Sequence, residues 1–221
     1  MDSAVQRRNM VDSQVRPSDV TDRRIPRAML EVPREAFVPA ARRAIAYMDG
    51  DLAVSGPEVA AQRALMAPRT LAKMIQALEI GPDALVLDVG PATGYSTAVL
   101  AHMARHVVAL EVDETLAEQA KAALGGLGVA NVDVVTGPLT EGVGERGPFD
   151  AILVAGRVSG IPGRLLDQLK DGGRLVAILD EAGVGRVTVW RRYAMSFDRR
   201  PLFDAEAVLL PGFGRKAEFV L

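Results

Sequence analysis

Residues 85–95, with the sequence LVLDVGPATGY, carry the strongest fold signal in this chain. They begin as an apolar run, which is typical of a strand buried on both faces of a parallel sheet. The run ends in Asp88-Val89 and turns through two glycines toward a helix. A second apolar run, HVVAL at residues 106–110, ends in Glu111. A glycine-containing turn followed by an acid at the end of the next strand predicts a nucleotide-type binding site.

Composition narrows the possible classes of function. The 221 residues are 49% hydrophobic, enough for a full core, and the formal net charge of −2 does not indicate nucleic acid or an anionic membrane as a partner. The lack of cysteine excludes disulfides and thiolate metal sites, and two histidines leave little for a histidine-based metal centre. No apolar run reaches the roughly 18 residues of a membrane span, and no signal peptide is evident. We therefore expect a cytoplasmic protein that binds no nucleic acid, membrane or metal.

The hydrophobic pattern predicts an α/β fold with a doubly wound, mostly parallel sheet. Its strands are predicted at 84–89, 106–111, 131–135, 149–155 and 173–179. The helices around them are predicted at 66–78, 95–104, 114–125 and 161–169. Past Gly183, further strands are predicted at 185–192, 205–210 and 217–221 without intervening helices, which indicates a C-terminal antiparallel edge.

The N-terminal part differs in character from the sheet region. We expect residues 1–62 to form a helical extension and a loop, 49–62, that pack on the sheet domain. Residues 63–221 are then expected to form the cofactor-binding domain. One of the N-terminal helices is predicted to end at Val32, because a residue that precedes proline is disfavoured in the α conformation.

Two cofactors use the predicted type of site, a dinucleotide and S-adenosylmethionine. A dinucleotide fingerprint requires a third glycine, whereas here only Gly90 and Gly94 are present. S-adenosylmethionine needs no pyrophosphate cradle, and its amino and carboxylate groups suit Asp88 and the amides of the turn. Glu111 is placed to accept hydrogen bonds from ribose hydroxyls. A methyltransferase is therefore favoured over a nicotinamide-dependent oxidoreductase, and a strand–turn–helix without a ligand remains the structural alternative.

The chain resembles the protein-L-isoaspartate O-methyltransferase family over nearly its whole length. The resemblance is carried by MVDSQV (10–15), VTD (20–22), VPREAFVP (32–39), AYMD (46–49), PFDAILV (148–154), IP (161–162) and LLDQLKDGGRLV (165–176). It implies a Rossmann-like methyltransferase fold, S-adenosylmethionine as cofactor and a protein or peptide acceptor. The implied reaction methylates the α-carboxyl of an isoaspartyl residue in a damaged protein. The ester then collapses to a succinimide, which can reopen as aspartate.

The chain departs from the family pattern on the acceptor side. The family has Thr-Ile-Ser where this sequence has Ala64-Leu65-Met66, so Met66 stands at the position of the serine usually named as catalytic. A thioether cannot donate a hydrogen bond. Arg69 and Arg157 could face a carboxylate near the cleft, and the alternative interpretation is that both are solvated loop arginines.

Further departures lie on the cofactor side. Ala92 replaces the middle glycine of the first turn and follows Pro91, while Gly137-Pro138-Leu139 replaces the Gly-Asp-Gly that would contact the adenine. Residues 55–63 lack the Gly-Gln of the family. The cofactor-binding residues that we expect are Leu65, Asp88, Gly90, Ala92, Gly94, Tyr95, Glu111, Gly137 and Pro138.

Two functions follow from these observations. The first is an S-adenosylmethionine-dependent carboxyl methyltransferase whose isoaspartyl activity is weak or altered. The alternative is a catalytically silent protein of the same fold that acts through protein binding. Stabilisation of the protein by S-adenosylmethionine would separate them.

Overall fold

A computed structural model describes residues 2–56 and 61–214. Its strands are β1 Leu52–Ala53, β2 Ala64–Leu65, β3 Leu85–Val89, β4 His106–Glu111, β5 Val132–Thr136, β6 Phe149–Val158, β7 Leu169–Glu181, β8 Val184–Tyr193 and β9 Ser196–Asp204. Its α-helices are α1 Ser3–Met10, α2 Arg24–Glu31, α3 Pro68–Leu78, α4 Tyr95–Ala101, α5 Glu114–Gly126 and α6 Gly163–Leu166. A π-helical turn lies at Val11–Val15, and short 3-10 turns lie at Arg34–Phe37, Ala40–Ile45 and Gly144–Arg146.

Seven strands form the main sheet in the order β5-β4-β3-β6-β7-β8-β9. Strands β3 to β7 pair in parallel, whereas β8 and β9 add antiparallel partners at the edge. The predicted fold class is therefore confirmed. Strand β3 lies between β4 and β6, so the strand order reverses around it. Ligands bind at such a switch point, outside the carboxyl ends of the strands.

The sheet is covered on both faces, as the apolar runs predict. Successive side chains of a strand point to opposite faces. Accordingly, Val86 lies in one apolar cluster, and Leu87 lies in the other. The first cluster also contains Ile25 and Met29 from helix α2, which packs against α3 and α4. The N-terminal segment therefore shares a core with the sheet, and a domain boundary at residue 62 stays a prediction.

Two predicted elements of the C-terminal half are wrong. The helix predicted at 161–169 is only the single turn α6, because Leu169 already pairs with Phe149 in the sheet. The strand predicted at 205–210 is replaced by β9, which follows β8 through a short hairpin with Tyr193 paired to Ser196. A short hairpin connection favours pairing of the nearest segments. Residues 217–221 lie outside the described part of the chain.

The loop predicted at 49–62 also contains structure. Strand β1 pairs antiparallel with β2, so Leu52 lies opposite Leu65. This ladder fixes the backbone just before helix α3. As predicted, helix α2 stops before Pro33: its last residue is Glu31, and the backbone of Val32 is extended. Within the described residues, no helix has the length and apolar character needed to cross a bilayer.

We expect Ile25→Ala to lower the free energy of unfolding by about 2–5 kcal/mol, because the isoleucine is fully buried in the apolar cluster that α2 shares with α3 and α4. The midpoint and slope of urea unfolding measure this loss. Arg27→Ala in the same helix is the control, since this side chain is 82% exposed and its removal should change the free energy by less than about 0.5 kcal/mol. Equal effects of the two substitutions would contradict the packing of α2.

Candidate functional site

The turn after β3 has the backbone geometry of a ligand-binding turn. Gly90, Ala92 and Gly94 all adopt positive φ, at 74°, 54° and 94°. An added Cβ at Gly94 would lie 3.1 Å from the Cβ of Ala120, so glycine is needed there for close packing as well as for conformation. Ala92 carries strain of about 1 kcal/mol or more in this conformation. Its N–H donates to Oε2 of Glu111 at 2.9 Å, which holds the strained residue in place.

Asp88 is buried near the carboxyl end of β3 with only half of its carboxylate satisfied. Oδ2 accepts hydrogen bonds from the hydroxyls of Ser96 and Thr97, each at 2.7 Å. Oδ1 is buried and accepts no hydrogen bond from the described residues. Burial raises the pKa of Asp88 to about 6, and the two hydroxyls act in the opposite direction. An unpartnered buried carboxylate oxygen suits the ammonium group of the expected cofactor.

Glu111 ends β4 and is fully buried. Its carboxylate accepts hydrogen bonds from the backbone N–H groups of Ala92 and Val112, each at 2.9 Å, and of Asp113 at 3.3 Å. In this structure it also pairs with Arg63. Nη1 of Arg63 donates to Oε1, and Nη2 donates to Oε2 at 2.9 Å. Both oxygens expected to receive ribose hydroxyls are therefore held by one guanidinium.

Arg63 is a site residue that sequence reasoning missed. Its side chain is 2% exposed, and Nη2 also donates to the carbonyl oxygen of Gly90 at 2.8 Å. The ladder of β1 and β2 anchors its backbone, because the carbonyl of Arg63 accepts from the N–H of Val54 at 2.9 Å. The only signal in the sequence was the departure of residues 55–63 from the Gly-Gln of the family pattern.

Leu210 is a second side chain over the turn. An added Cβ at Gly90 would lie 3.1 Å from a methyl carbon of Leu210, and one at Gly156 would lie 2.7 Å from its Cγ. The N–H of Leu210 donates to the carbonyl oxygen of Arg157 at 2.9 Å, which fixes the segment beside β6. The Leu210 side chain therefore packs against the backbone at Gly90 and Gly156, where the lack of a Cβ leaves room for it.

On the side of the turn that faces Leu65 and Met66, the described residues leave too little space for a cofactor. A cavity of about 10 Å³ lies there, lined in part by Leu65, Met66 and Tyr95. Sites for small ligands enclose about 300–1,000 Å³. Asp88 and the turn fit S-adenosylmethionine, whereas Glu111 and the space above Gly90 do not fit it while Arg63 and Leu210 hold these positions.

The remaining expected residues fall into two groups. Leu65, Met66 and Tyr95 are buried together, and the carbonyl oxygen of Met66 accepts from Nη2 of Arg34 at 3.0 Å. Gly137 and Pro138 follow β5 and are more exposed; the N–H of Gly137 donates to the backbone carbonyl of Glu111 at 3.0 Å. The structure therefore brings all nine expected residues to the carboxyl edge of the sheet or beside it. Their role in binding stays a prediction.

The two arginines considered for the acceptor lie in different surroundings. Arg157 lies in β6 rather than in a loop, and its 26% exposed side chain pairs with Glu206 at 3.0 Å, so the interpretation as a solvated loop arginine is wrong for this residue. Arg69 lines an open cavity of about 620 Å³ together with Asp49, Asp51 and Lys73. Asp51 accepts the N–H of Ala67 at 2.8 Å, and burial raises its pKa. Within the described residues, no cluster of side chains is suited to hold a metal ion.

The raised pKa of Asp88 predicts a pH dependence of stability. A folded-state pKa of about 6, above that of the unfolded chain, means that the native state binds more protons between about pH 4 and 6. The stability of the protein relative to Asp88→Asn should therefore rise by about 1 kcal/mol as the pH falls from 7 to 5. Urea unfolding of both proteins across this range measures the difference. A flat difference, or one that falls toward pH 5, would contradict the burial of a charged Asp88.

Comparison with known proteins places this geometry in a family. The profile of the family described as Protein-L-isoaspartate(D-aspartate) O-methyltransferase (PCMT) matches residues 5–199. A protein-L-isoaspartate O-methyltransferase of Koribacter versatilis is 36% identical over 209 residues, which cover 95% of this chain and 92% of the relative. One of Rhodopseudomonas palustris is 38% identical over 205 residues, which cover 92% of each chain.

Solved structures agree at the level of the fold. One protein-L-isoaspartate O-methyltransferase superposes with a TM-score of 0.84 at 24% identity, covering 93% of this chain and 66% of the other. One from Plasmodium falciparum, in complex with S-adenosyl-L-homocysteine, superposes with a TM-score of 0.78 at 22% identity, covering 92% and 97%. The solved structures support the fold, whereas the sequence matches, which cover most of this chain, also support the family assignment. The chain belongs to the protein-L-isoaspartate O-methyltransferase family.

Proposed function

We propose that this chain is an S-adenosylmethionine-dependent methyltransferase that acts on the carboxyl group of isoaspartyl residues in proteins, with Met66 limiting its rate. The observation that carries the proposal is the family match over residues 5–199. The arrangement of Asp88, the turn and Glu111 at one edge of the sheet supports it. A cytoplasmic location belongs to the same proposal.

Methyl transfer to a carboxylate requires little acid–base catalysis from the protein. The cofactor, when bound, would supply a methyl group from a sulfonium, so that an O–CH3 bond forms at the acceptor carboxylate as the S–CH3 bond breaks and a neutral thioether leaves. That carboxylate is ionised at neutral pH, so no general base is needed. The task of the protein is alignment of the two groups and exclusion of water.

Three parts of the site are proposed to hold the cofactor. Oδ1 of Asp88 would accept from its ammonium group, and Glu111 would accept from the ribose once the Arg63 side chain has left. The amides of the turn and the N-terminus of α4 present positive partial charge to its carboxylate. The buried side chains of Leu65 and Met66 would exclude water on the acceptor side.

Met66 is proposed to weaken contact with the acceptor. The resemblance implies a serine at this position in the family, and methionine cannot replace its hydroxyl as a donor. A hydrogen bond to a charged group contributes about 1.5–3 kcal/mol. Its loss slows turnover by about one to two orders of magnitude.

The second candidate function is a silent methyltransferase fold that acts through protein binding. The occupation of Glu111 by Arg63 is the observation that favours it. Calorimetric titration with S-adenosylmethionine, followed by methyl transfer to an isoaspartyl peptide, separates the candidates. Methylation of the peptide supports the enzyme, whereas binding without methylation of that peptide contradicts the proposed acceptor. If the protein binds no cofactor even after Arg63 has been replaced, the silent fold is favoured.

We expect Met66→Ser to raise the rate of methyl transfer to an isoaspartyl peptide by about ten- to a hundredfold, because the serine restores a donor near the acceptor carboxylate. Incorporation of radiolabelled methyl groups measures the rate. Met195→Ser is the matched control, since this methionine is 92% exposed in the hairpin between β8 and β9 and should leave the rate unchanged. An unchanged rate in a folded Met66→Ser protein would refute the role given to the missing hydroxyl.

A further inference from the structure

We propose that the Arg63 side chain is a latch on the cofactor site, which must leave Glu111 before a ribose can bind there. The proposal rests on the proposed function, because it assigns Glu111 to the ribose of S-adenosylmethionine. It adds a residue that controls access to that site. The latch consists of the Arg63 guanidinium and its two partners, the Glu111 carboxylate and the Gly90 carbonyl.

The Arg63 guanidinium and a ribose compete for the same acceptor atoms. Vicinal hydroxyls need the two carboxylate oxygens of Glu111, and Arg63 binds both with the fork of its guanidinium. Carboxylate and guanidinium match in this bidentate geometry, which makes the pair both strong and specific. Among the described residues, the remaining donors to Glu111 are backbone N–H groups, so Arg63 is the side chain that a ribose would replace. A ribose can therefore bind Glu111 only by displacing Arg63.

The Arg63 latch also holds the turn after β3. Nη2 of Arg63 donates to the carbonyl oxygen of Gly90, at the start of the turn. An added Cβ at Gly90 would lie 3.2 Å from this same Nη2, so the guanidinium packs directly against the glycine. The guanidinium and Leu210 together fill the space that Gly90 leaves free, and the guanidinium alone binds both carboxylate oxygens of Glu111.

The Arg63 side chain can leave Glu111 without unfolding the site. After Arg63 has left, the Glu111 carboxylate still accepts hydrogen bonds from the backbone N–H groups of Ala92, Val112 and Asp113. These hydrogen bonds continue to stabilise its buried negative charge. The backbone of Arg63 stays held by the segment that follows β1, because its N–H donates to the hydroxyl of Ser55 at 2.9 Å. A cavity of about 480 Å³ that Ser55 helps to line lies beside that anchor and offers space for the displaced side chain.

The latch lowers the affinity for the cofactor without altering the residues that bind it. When only a fraction of molecules is competent to bind, the apparent dissociation constant is the intrinsic constant divided by that fraction. The closed conformation described here is the one that cannot bind. Removal of the guanidinium should therefore tighten binding, which is the opposite of what removal of a binding residue would do.

The test is calorimetric titration of the full chain and two variants with S-adenosylhomocysteine. Arg63→Gln removes the charge and the fork, and we expect its dissociation constant to be at least tenfold lower than that of the unchanged protein. Arg146→Gln is the matched control, because it also removes one arginine paired with a carboxylate, that of Asp133, but on the surface. Its dissociation constant should equal that of the unchanged protein. The shift of the melting temperature by the same ligand is a second readout.

The possible results separate the latch from the function on which it rests. Equal affinities of the unchanged protein and Arg63→Gln would overturn the latch and leave the cofactor assignment intact. Failure of both folded proteins to bind would overturn the latch together with the cofactor assignment. Should Arg63→Gln fail to fold, Arg63→Lys takes its place, since lysine keeps the charge but lacks the fork. Tighter binding by the lysine variant supports the latch, and affinity equal to that of the unchanged protein overturns it.

Discussion

The buried ion pair of Arg63 and Glu111 organises the candidate site. Removal of two charges from water costs several kcal/mol, and the pair offsets this only with good geometry and additional hydrogen bonds. Both conditions hold, because the contact is bidentate and Glu111 receives three further backbone N–H groups. The pair joins the residue before β2, the turn after β3 and the end of β4. These segments lie far apart in the sequence, and the pair fixes their relative positions.

The same contacts explain how a strained turn persists beside an acid. Ala92 adopts a conformation that glycine tolerates better, and its N–H is held by the carboxylate that Arg63 binds. Glu111 therefore stabilises the turn whether Arg63 or a ribose holds its other lone pairs. Asp88 complements this arrangement with a buried oxygen that accepts no hydrogen bond from the described residues. One half of the site is ready for a ligand, while the other half is satisfied by the protein itself.

The sequence predicts the sheet and its two acids because each depends on local pattern. The runs that end near Asp88 and in Glu111 are apolar on both faces, and parallel pairing aligns their carboxyl ends. Arg63 could not be predicted, since its partner lies 48 residues away and any arginine in a loop is expected to be solvated. The strand predicted at 205–210 failed for a related reason. Because of the hairpin at Tyr193, residues 196–204 form the edge strand of the sheet. Leu210 instead packs beside Gly90 and Gly156.

A double-mutant cycle measures whether Arg63 and Glu111 form a buried ion pair in solution. The free energies of urea unfolding are measured for the unchanged protein, Arg63→Gln, Glu111→Gln and the double variant. A buried pair predicts a coupling energy of about 2 kcal/mol or more, because Glu111→Gln alone leaves a buried guanidinium without its carboxylate. A coupling energy within about 0.5 kcal/mol of zero would mean that the two side chains do not meet in solution. In that case Glu111 is open to a ligand, and Arg63 does not close the site.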